Sequence, residues 1–207
     1  MNTIGIIGAM DEEVTLIKSA MNVKNTVEKA GCTFLSGTIE GKNAVVVRCG
    51  IGKVNAAMCT QILIDLFNVD AVINTGVAGA LADGITVGDV IVSKDALQHD
   101  MDCSPLGDPV GVIPRMKESV FKADERLMNA ALEASKKVID GRTALGRVLS
   151  GDQFIASMDI KNKLRDTFCG SCAEMEGAAI AHICCMNDVP YVIIRNISCL
   201  LYTSRCV

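Results

Sequence analysis

Short apolar runs alternate along this chain with stretches whose apolar residues recur at helical spacing. That alternation restricts the fold to a sheet covered by helices. Thr3 to Gly8 is one such run, and Val14, Ile17 and Met21 follow it at helical spacing. Thr33 to Ile39 and Ala44 to Arg48 alternate as two strands around the turn Gly41-Lys42-Asn43. Gly50-Ile51-Gly52-Lys53 reads as a tight turn lining a pocket, and it opens a helix expected to bury Val54, Met58, Ile62 and Leu66. Ala71 to Thr75, Gly88 to Ser93, Gly146 to Ser150 and Tyr191 to Ile197 are further strands, and Leu127, Ala131, Ala134 and Val138 mark another helix. Half of the residues are hydrophobic and the mean hydropathy is +0.35, yet no apolar run reaches the roughly 18 residues that span a bilayer. Strands buried on both faces absorb such a surplus. The expectation is an α/β fold: a single domain, with a central mixed β-sheet flanked by helices on both sides.

Charge and composition narrow the function. The net charge is −4 with Lys and Arg scattered, so neither a nucleic-acid patch nor a basic membrane-surface helix is expected. Met1-Asn2-Thr3-Ile4-Gly5 has no charged leader and no cleavage site, which predicts a cytoplasmic chain. Of the ten cysteines, Cys49, Cys59, Cys184 and Cys185 sit in apolar segments and read as small core residues. Cys169-Gly170-Ser171-Cys172 has the redox spacing but no flanking Trp or Pro. With only His99 and His182 as histidines, no metal site is expected, and no cofactor motif is present.

The segment Cys172-Ala173-Glu174-Met175-Glu176-Gly177-Ala178-Ala179-Ile180-Ala181-His182 sets two carboxylates at the mouth of an apolar helix, expected to begin near Met175. Charged residues are seldom buried without a partner. Two readings stay open here: the carboxylates serve the positive end of the helix dipole, or one of them grips a polar ligand such as a sugar hydroxyl. Asp11-Glu12-Glu13 poses the same choice at a strand-to-helix turn, where open α/β sheets place their ligands. The small residues Gly76-Val77-Ala78-Gly79-Ala80 allow close approach to a strand end. Gln98 to Arg115, with Pro105, Pro109 and Pro114, reads as a long functional loop. Phe154, after a strand end, could stack on a base, but its local sequence reads as core.

Five separated segments agree in order: Gly5-Ile6-Ile7-Gly8-Ala9-Met10-Asp11-Glu12-Glu13-Val14, Gly50-Ile51-Gly52-Lys53-Val54-Asn55-Ala56-Ala57, Asn74-Thr75-Gly76-Val77-Ala78-Gly79, Ser150-Gly151-Asp152, and Glu174 to His182. Over residues 3 to 198 the chain closely resembles the bacterial 5'-methylthioadenosine/S-adenosylhomocysteine nucleosidases of the purine nucleoside phosphorylase-like superfamily. The resemblance implies hydrolysis of the N-glycosidic bond of these adenine thionucleosides, in methionine salvage and methyl-cycle recycling. It implies that Glu13 activates the water, that Glu176 bonds the ribose hydroxyls and that Met175 packs on the sugar. It also implies that the Ile155 backbone reads the adenine edge, that Phe154 stacks on its face, and that Gly79, Met10, Ile51 and Ser198 line the same pocket. Leu106 corresponds to a position that reaches a partner subunit, so a homodimer is expected. Which of methylthioadenosine, S-adenosylhomocysteine and 5'-deoxyadenosine is preferred stays open.

The chain departs from the family pattern at one point. The resemblance implies an aspartate after Ser198, donating a proton to the adenine ring, and then a long helix; Cys199 stands in the aspartate's place. Codons TGT CTC TTA TAC ACA TCT would spell Cys199 to Ser204, and their reverse complement, AGA TGT GTA TAA, spells Arg205, Cys206, Val207 and a stop. Residues 199–207 therefore read as a non-native tail on a nucleosidase domain, residues 1–198, that lacks its last helix. The alternatives are a catalytically dead nucleoside-binding fragment and a related purine nucleoside phosphorylase. Against the phosphorylase, the glycine turn offers no phosphate-binding arginine, Arg48 being the nearest.

Overall fold

The computed structural model describes residues 3–200. In chain order the elements are β1 (Thr3–Gly8), α1 (Asp11–Ser19), β2 (Asn22–Lys29), β3 (Cys32–Ile39), β4 (Lys42–Arg48), α2 (Lys53–Phe67), β5 (Ala71–Ala80), β6 (Val90–Gln98), β7 (Phe121–Lys122), α3 (Glu125–Val138), β8 (Thr143–Ser150), α4 (Met158–Phe168), β9 (Cys172–Glu174), α5 (Gly177–Met186) and β10 (Tyr191–Cys199). One sheet runs in the order β10-β6-β8-β9-β5-β1-β4-β3-β2, with β7 beside β6. It is mixed: β1 lies parallel to β4 and β5, whereas β2, β3 and β4 run antiparallel. Helices flank it on both sides.

A second pairing, β10 with β5, closes five of these strands into a ring. The closure falls at Gly79, which pairs with Ala173 of β9 on one side and with Cys199 of β10 on the other. The β10 register slips between Ile197 and Cys199, a bulge that lets the strand turn toward its second neighbour. The central strands are apolar on both faces because helices cover both: Val45, Val46 and Val47 are all buried, as are Val90, Ile91 and Val92. The carboxyl ends of β1, β4, β5, β8 and β10 reach the residues expected to bind ligand.

Several elements differ from expectation. α1 stops at Ser19, so Met21 is buried beyond the helix rather than on it. β2 and α4 carried no apolar pattern: β2 is solvated along almost its whole length, and α4 holds two buried side chains, Lys161 and Leu164. On α2 the expected face is half right: Met58 and Ile62 pack against the main core, but the two ends of the stripe do not. Val54 is 79% exposed and Leu66 50%, while Ala56, Cys59, Thr60 and Leu63 face inward. Small residues let α2 approach α5 and the sheet closely, and Val54 and Leu66 are displaced outward. α3 similarly turns Ala134 and Val138 out; Leu127, Met128 and Ala131 pack on Val90, Val92 and Val192. The first turn of α3 is capped by Asp124, which accepts from the Arg126 and Leu127 N–H groups.

Cys49, Cys59 and Cys184 are buried, but Cys185 is exposed. Cys169 is exposed and Cys172 buried in β9, both as free thiols. The segment from Gln98 to Arg115 is a loop with one short 3-10 turn at Ser104–Leu106. Of the expected tail, Cys199 completes β10 and Leu200 packs on the main core, while residues 201–207 lie outside the described residues. Among the described residues no helix is long and apolar enough to cross a membrane.

Candidate active site

Glu174 and Glu176 divide the two readings between them. Glu174 serves the helix. Its Oε1 and Oε2 accept from the Gly177 N–H at 3.0 and 2.8 Å, and Oε2 accepts from the Glu176 N–H at 3.2 Å. These are donors that the start of α5 would otherwise leave unpaired. Glu174 also forms a buried ion pair with Arg195, and its Oε1 accepts from the Ser150 hydroxyl. That hydroxyl in turn accepts from the Ala178 N–H at 2.6 Å.

Glu176 does not serve the helix with its side chain. Its backbone carbonyl takes the first helical bonds, from Ala179 and Ile180, while its Oε1 accepts from the Gly52 N–H at 2.7 Å across the site. Burial, reinforced by the nearby Glu174 carboxylate, pushes its pKa up to about 7 against the pull of the Gly52 N–H and Arg195. A carboxylate kept 7% exposed at this energetic cost is positioned for something other than the dipole.

Glu13 lies in the first turn of α1 and reaches back over β1. Oε2 accepts from the Ala9 and Met10 N–H groups at 2.6 and 3.0 Å, and Oε1 from the Val77 N–H at 3.0 Å. Three of a carboxylate's roughly four acceptor sites are thus filled, leaving one on Oε1. The approach requires glycine at 76, where a Cβ would sit 2.6 Å from Oε1.

A cavity of about 290 Å³ lies between these carboxylates. Glu13, Glu174 and Glu176 line it together with Met10, Ile51, Gly79, Phe154, Ile155, Met175, Ser198 and Cys199. All the residues expected to bind ligand therefore share one cavity. Phe154, whose local sequence read as core, is 70% exposed at its rim. Leu106 does not line it. The lining includes no Lys or Arg: Arg48 points outward to Asp11, and Arg195 is buried behind Glu174. The sequence reading missed Arg195, Asn74 and Ser150. A signal for Arg195 existed, because a charge interrupts the otherwise apolar run Tyr191 to Ile197.

The phosphorylase superfamily model matches residues 3–200. The 5'-methylthioadenosine/S-adenosylhomocysteine nucleosidase of Halalkalibacterium halodurans is 44% identical over 200 residues, which cover 96% of this chain and 85% of that protein. The chain belongs to this nucleosidase family. Its fold superimposes on that of the Neisseria meningitidis nucleosidase in complex with methylthio-immucillin-A, with a TM-score of 0.93, 37% identity and coverage of 98% and 87% of the two chains. The Colwellia psychrerythraea nucleosidase in complex with adenine gives a TM-score of 0.91, with 38% identity and coverage of 96% and 82%.

The raised pKa of Glu176 has a consequence for stability in this nucleosidase. A carboxyl held near 7 rather than its usual 4.5 keeps its proton in the folded chain where the unfolded chain has released it. The folded state binds more protons through that window, so stability from this group falls as pH rises from 4.5 to about 7 and is constant above. Glu176→Gln should therefore gain thermal stability over the parent at about pH 8, by a few kcal/mol at most, and lose that advantage near pH 4. Melting curves at the two pH values check this; an advantage equal at both would contradict it.

Proposed function

We propose that this chain hydrolyses the N-glycosidic bond of 5'-methylthioadenosine and S-adenosylhomocysteine, releasing adenine. The observation that carries the reading is the charge of the cavity wall: two carboxylates, Glu13 and Glu176, without a cationic partner, a third, Glu174, neutralised from behind by Arg195, and no Lys or Arg among the described lining residues. Breaking a bond between sugar and base develops positive charge on the sugar, as in glycoside hydrolysis. Carboxylates aimed at that site stabilise the charge as it forms. The same wall repels phosphate, which the phosphorolytic alternative would need to bind.

Each residue then has a role. The free acceptor site on Glu13 Oε1 holds the attacking water and takes its proton. A strong base is not needed, because the water attacks a cation. Glu176, the cavity-facing carboxylate, accepts from the ribose hydroxyls through bonds about twice as strong as neutral ones. Met175 packs on the sugar, and Gly79 admits it closely. Phe154 stacks on adenine, the Ile155 backbone reads its edge, and Met10, Ile51 and Ser198 complete the wall. Protonation of the departing adenine is the weak point. Cys199 occupies the end of β10, where the family resemblance calls for an aspartate, and a thiol is a weak hydrogen-bond donor compared with a carboxylic acid.

The test is adenine release from methylthioadenosine in phosphate-free buffer. Slow hydrolysis is expected from the chain as it stands, and Cys199→Asp should raise kcat/KM by on the order of a hundredfold. Strict dependence on phosphate would overturn the reading, and binding without any turnover in either form would favour the catalytically dead alternative.

We infer further that the chain pairs as a homodimer. The reading rests on the family resemblance at Leu106, and it is supported by the exposure of Leu106 and of the large apolar side chains Ile51, Val54 and Leu66 at and after the glycine turn. Sedimentation at micromolar concentration should give twice the chain mass; monomer alone would refute it.

A further inference from the structure

The N–H group that grips Glu176 belongs to a glycine turn tied on its entry side to the chain just after β1, where the Gly50 N–H donates to the Ala9 carbonyl at 3.1 Å, and closed by Asn55 Nδ2, which donates to the Ile51 carbonyl at 2.7 Å. Gly50 and Gly52 both have positive φ, +86° and +98°, conformations that side chains disfavour and that glycine leaves soft. α2 begins immediately after the turn, yet its N-cap is Gly52 itself, which has no side chain to cap it. The missing cap is supplied from another loop. Asp152 Oδ1, just after β8, accepts from the Lys53 N–H at 2.8 Å.

Lys53 closes this arrangement into a ring. Its Nζ donates to Asp100 Oδ1 at 2.6 Å and to Gln98 Oε1 at 3.0 Å. Asp100 Oδ2 accepts from the Asp152 N–H at 2.9 Å. Three loops that build the site are thereby joined: the glycine turn before α2, the loop after β6, and the loop after β8 that continues into Gln153, Phe154 and Ile155. The ion pair is well shielded, with side-chain exposures of 17% and 14%, so it is stronger than an ordinary surface pair. Burial alone would raise the Asp100 carboxyl, but the Lys53 ammonium and the Asp152 N–H outweigh it and hold it below its usual value. None of Lys53, Asp100 and Asp152 lines the cavity.

We infer that Lys53, paired with Asp100, is a positioning residue that holds the Gly52 N–H against Glu176 and fixes the Phe154 loop in the same frame. The effect on Glu176 passes through that one hydrogen bond. The titratable and charged groups facing Glu176 are Glu174, Glu13, Arg195 and the Cys49 thiol, while Lys53 is directed to Asp100 and Gln98. A backbone N–H bonded to a carboxylate favours the ionised form, so loosening the turn raises the pH at which Glu176 ionises. The carboxylate needed for the ribose hydroxyls is then scarcer near neutral pH. This catalytic consequence rests on the hydrolytic reading; the structural one does not.

The experiment is a titration of the Glu176 carboxyl by carbon-13 NMR in the free protein, assigned by its loss in Glu176→Gln. The double variant Lys53→Met/Asp100→Asn removes both charges and leaves neither unpaired. Its Glu176 midpoint should rise by about one pH unit, while Lys53→Arg, which keeps the cation, should stay near the parent. In the adenine-release assay the double variant should lose up to about tenfold in kcat/KM below the parent midpoint and recover in alkaline buffer. An unchanged midpoint, or an equal loss of activity at every pH, overturns the inference, as does a double variant that does not fold. If no variant and no parent releases adenine but the midpoint still moves, the hydrolytic reading fails and the positioning role stands.

Discussion

The structure turns on one buried ion pair. Glu174 and the Arg195 guanidinium meet where both side chains are almost wholly removed from water, and Arg195 reaches on to the Asn74 side chain. Glu174 ends β9, Arg195 lies on β10, and Asn74 lies on β5, so the pair spans the strands that close the ring. Such a pair contributes little net stability, but losing either partner strands a charge and costs about 3–5 kcal/mol. Its larger effect is geometric. By capping α5, Glu174 fixes where that helix begins, and the start of the helix fixes Glu176.

The strands that form the centre of the sheet were legible in the sequence because burial on both faces writes a continuous apolar run. Elements at the margins were not. β2 is an almost fully solvated strand, and α4 is a polar helix that buries only Lys161 and Leu164, so neither left a periodic trace. The face of α2 was legible only in part, because periodicity weighs large apolar residues: Met58 and Ile62 do pack on the core, but the fully buried line runs through the smaller Ala56, Cys59 and Thr60 to Leu63. At the site, the two glutamates were visible as an anomaly, but local sequence could not assign one to the helix and the other to the cavity. That assignment depends on Gly52 and Arg195, which lie 124 and 21 residues away from the carboxylates they bind.

Three carboxylates around one small cavity repel one another. Glu174 is compensated by Arg195 and Glu13 by three N–H groups; Glu176 has a single N–H and carries the raised pKa. Repulsion of this kind is relieved by a ligand that brings positive charge, and a sugar losing its base does so transiently. Under the proposed hydrolysis, the repulsion among these carboxylates and the stabilisation of the transition state have the same electrostatic origin.

Calorimetry with two adenine nucleoside analogues tests that claim most directly, one with a protonated nitrogen in place of the ribose ring oxygen and one an uncharged carbocycle of the same shape. The cationic analogue should bind more tightly, its advantage should grow as pH rises through the Glu176 midpoint near 7, and Glu176→Gln should remove most of that growth. Equal affinity for the two analogues at every pH would contradict it.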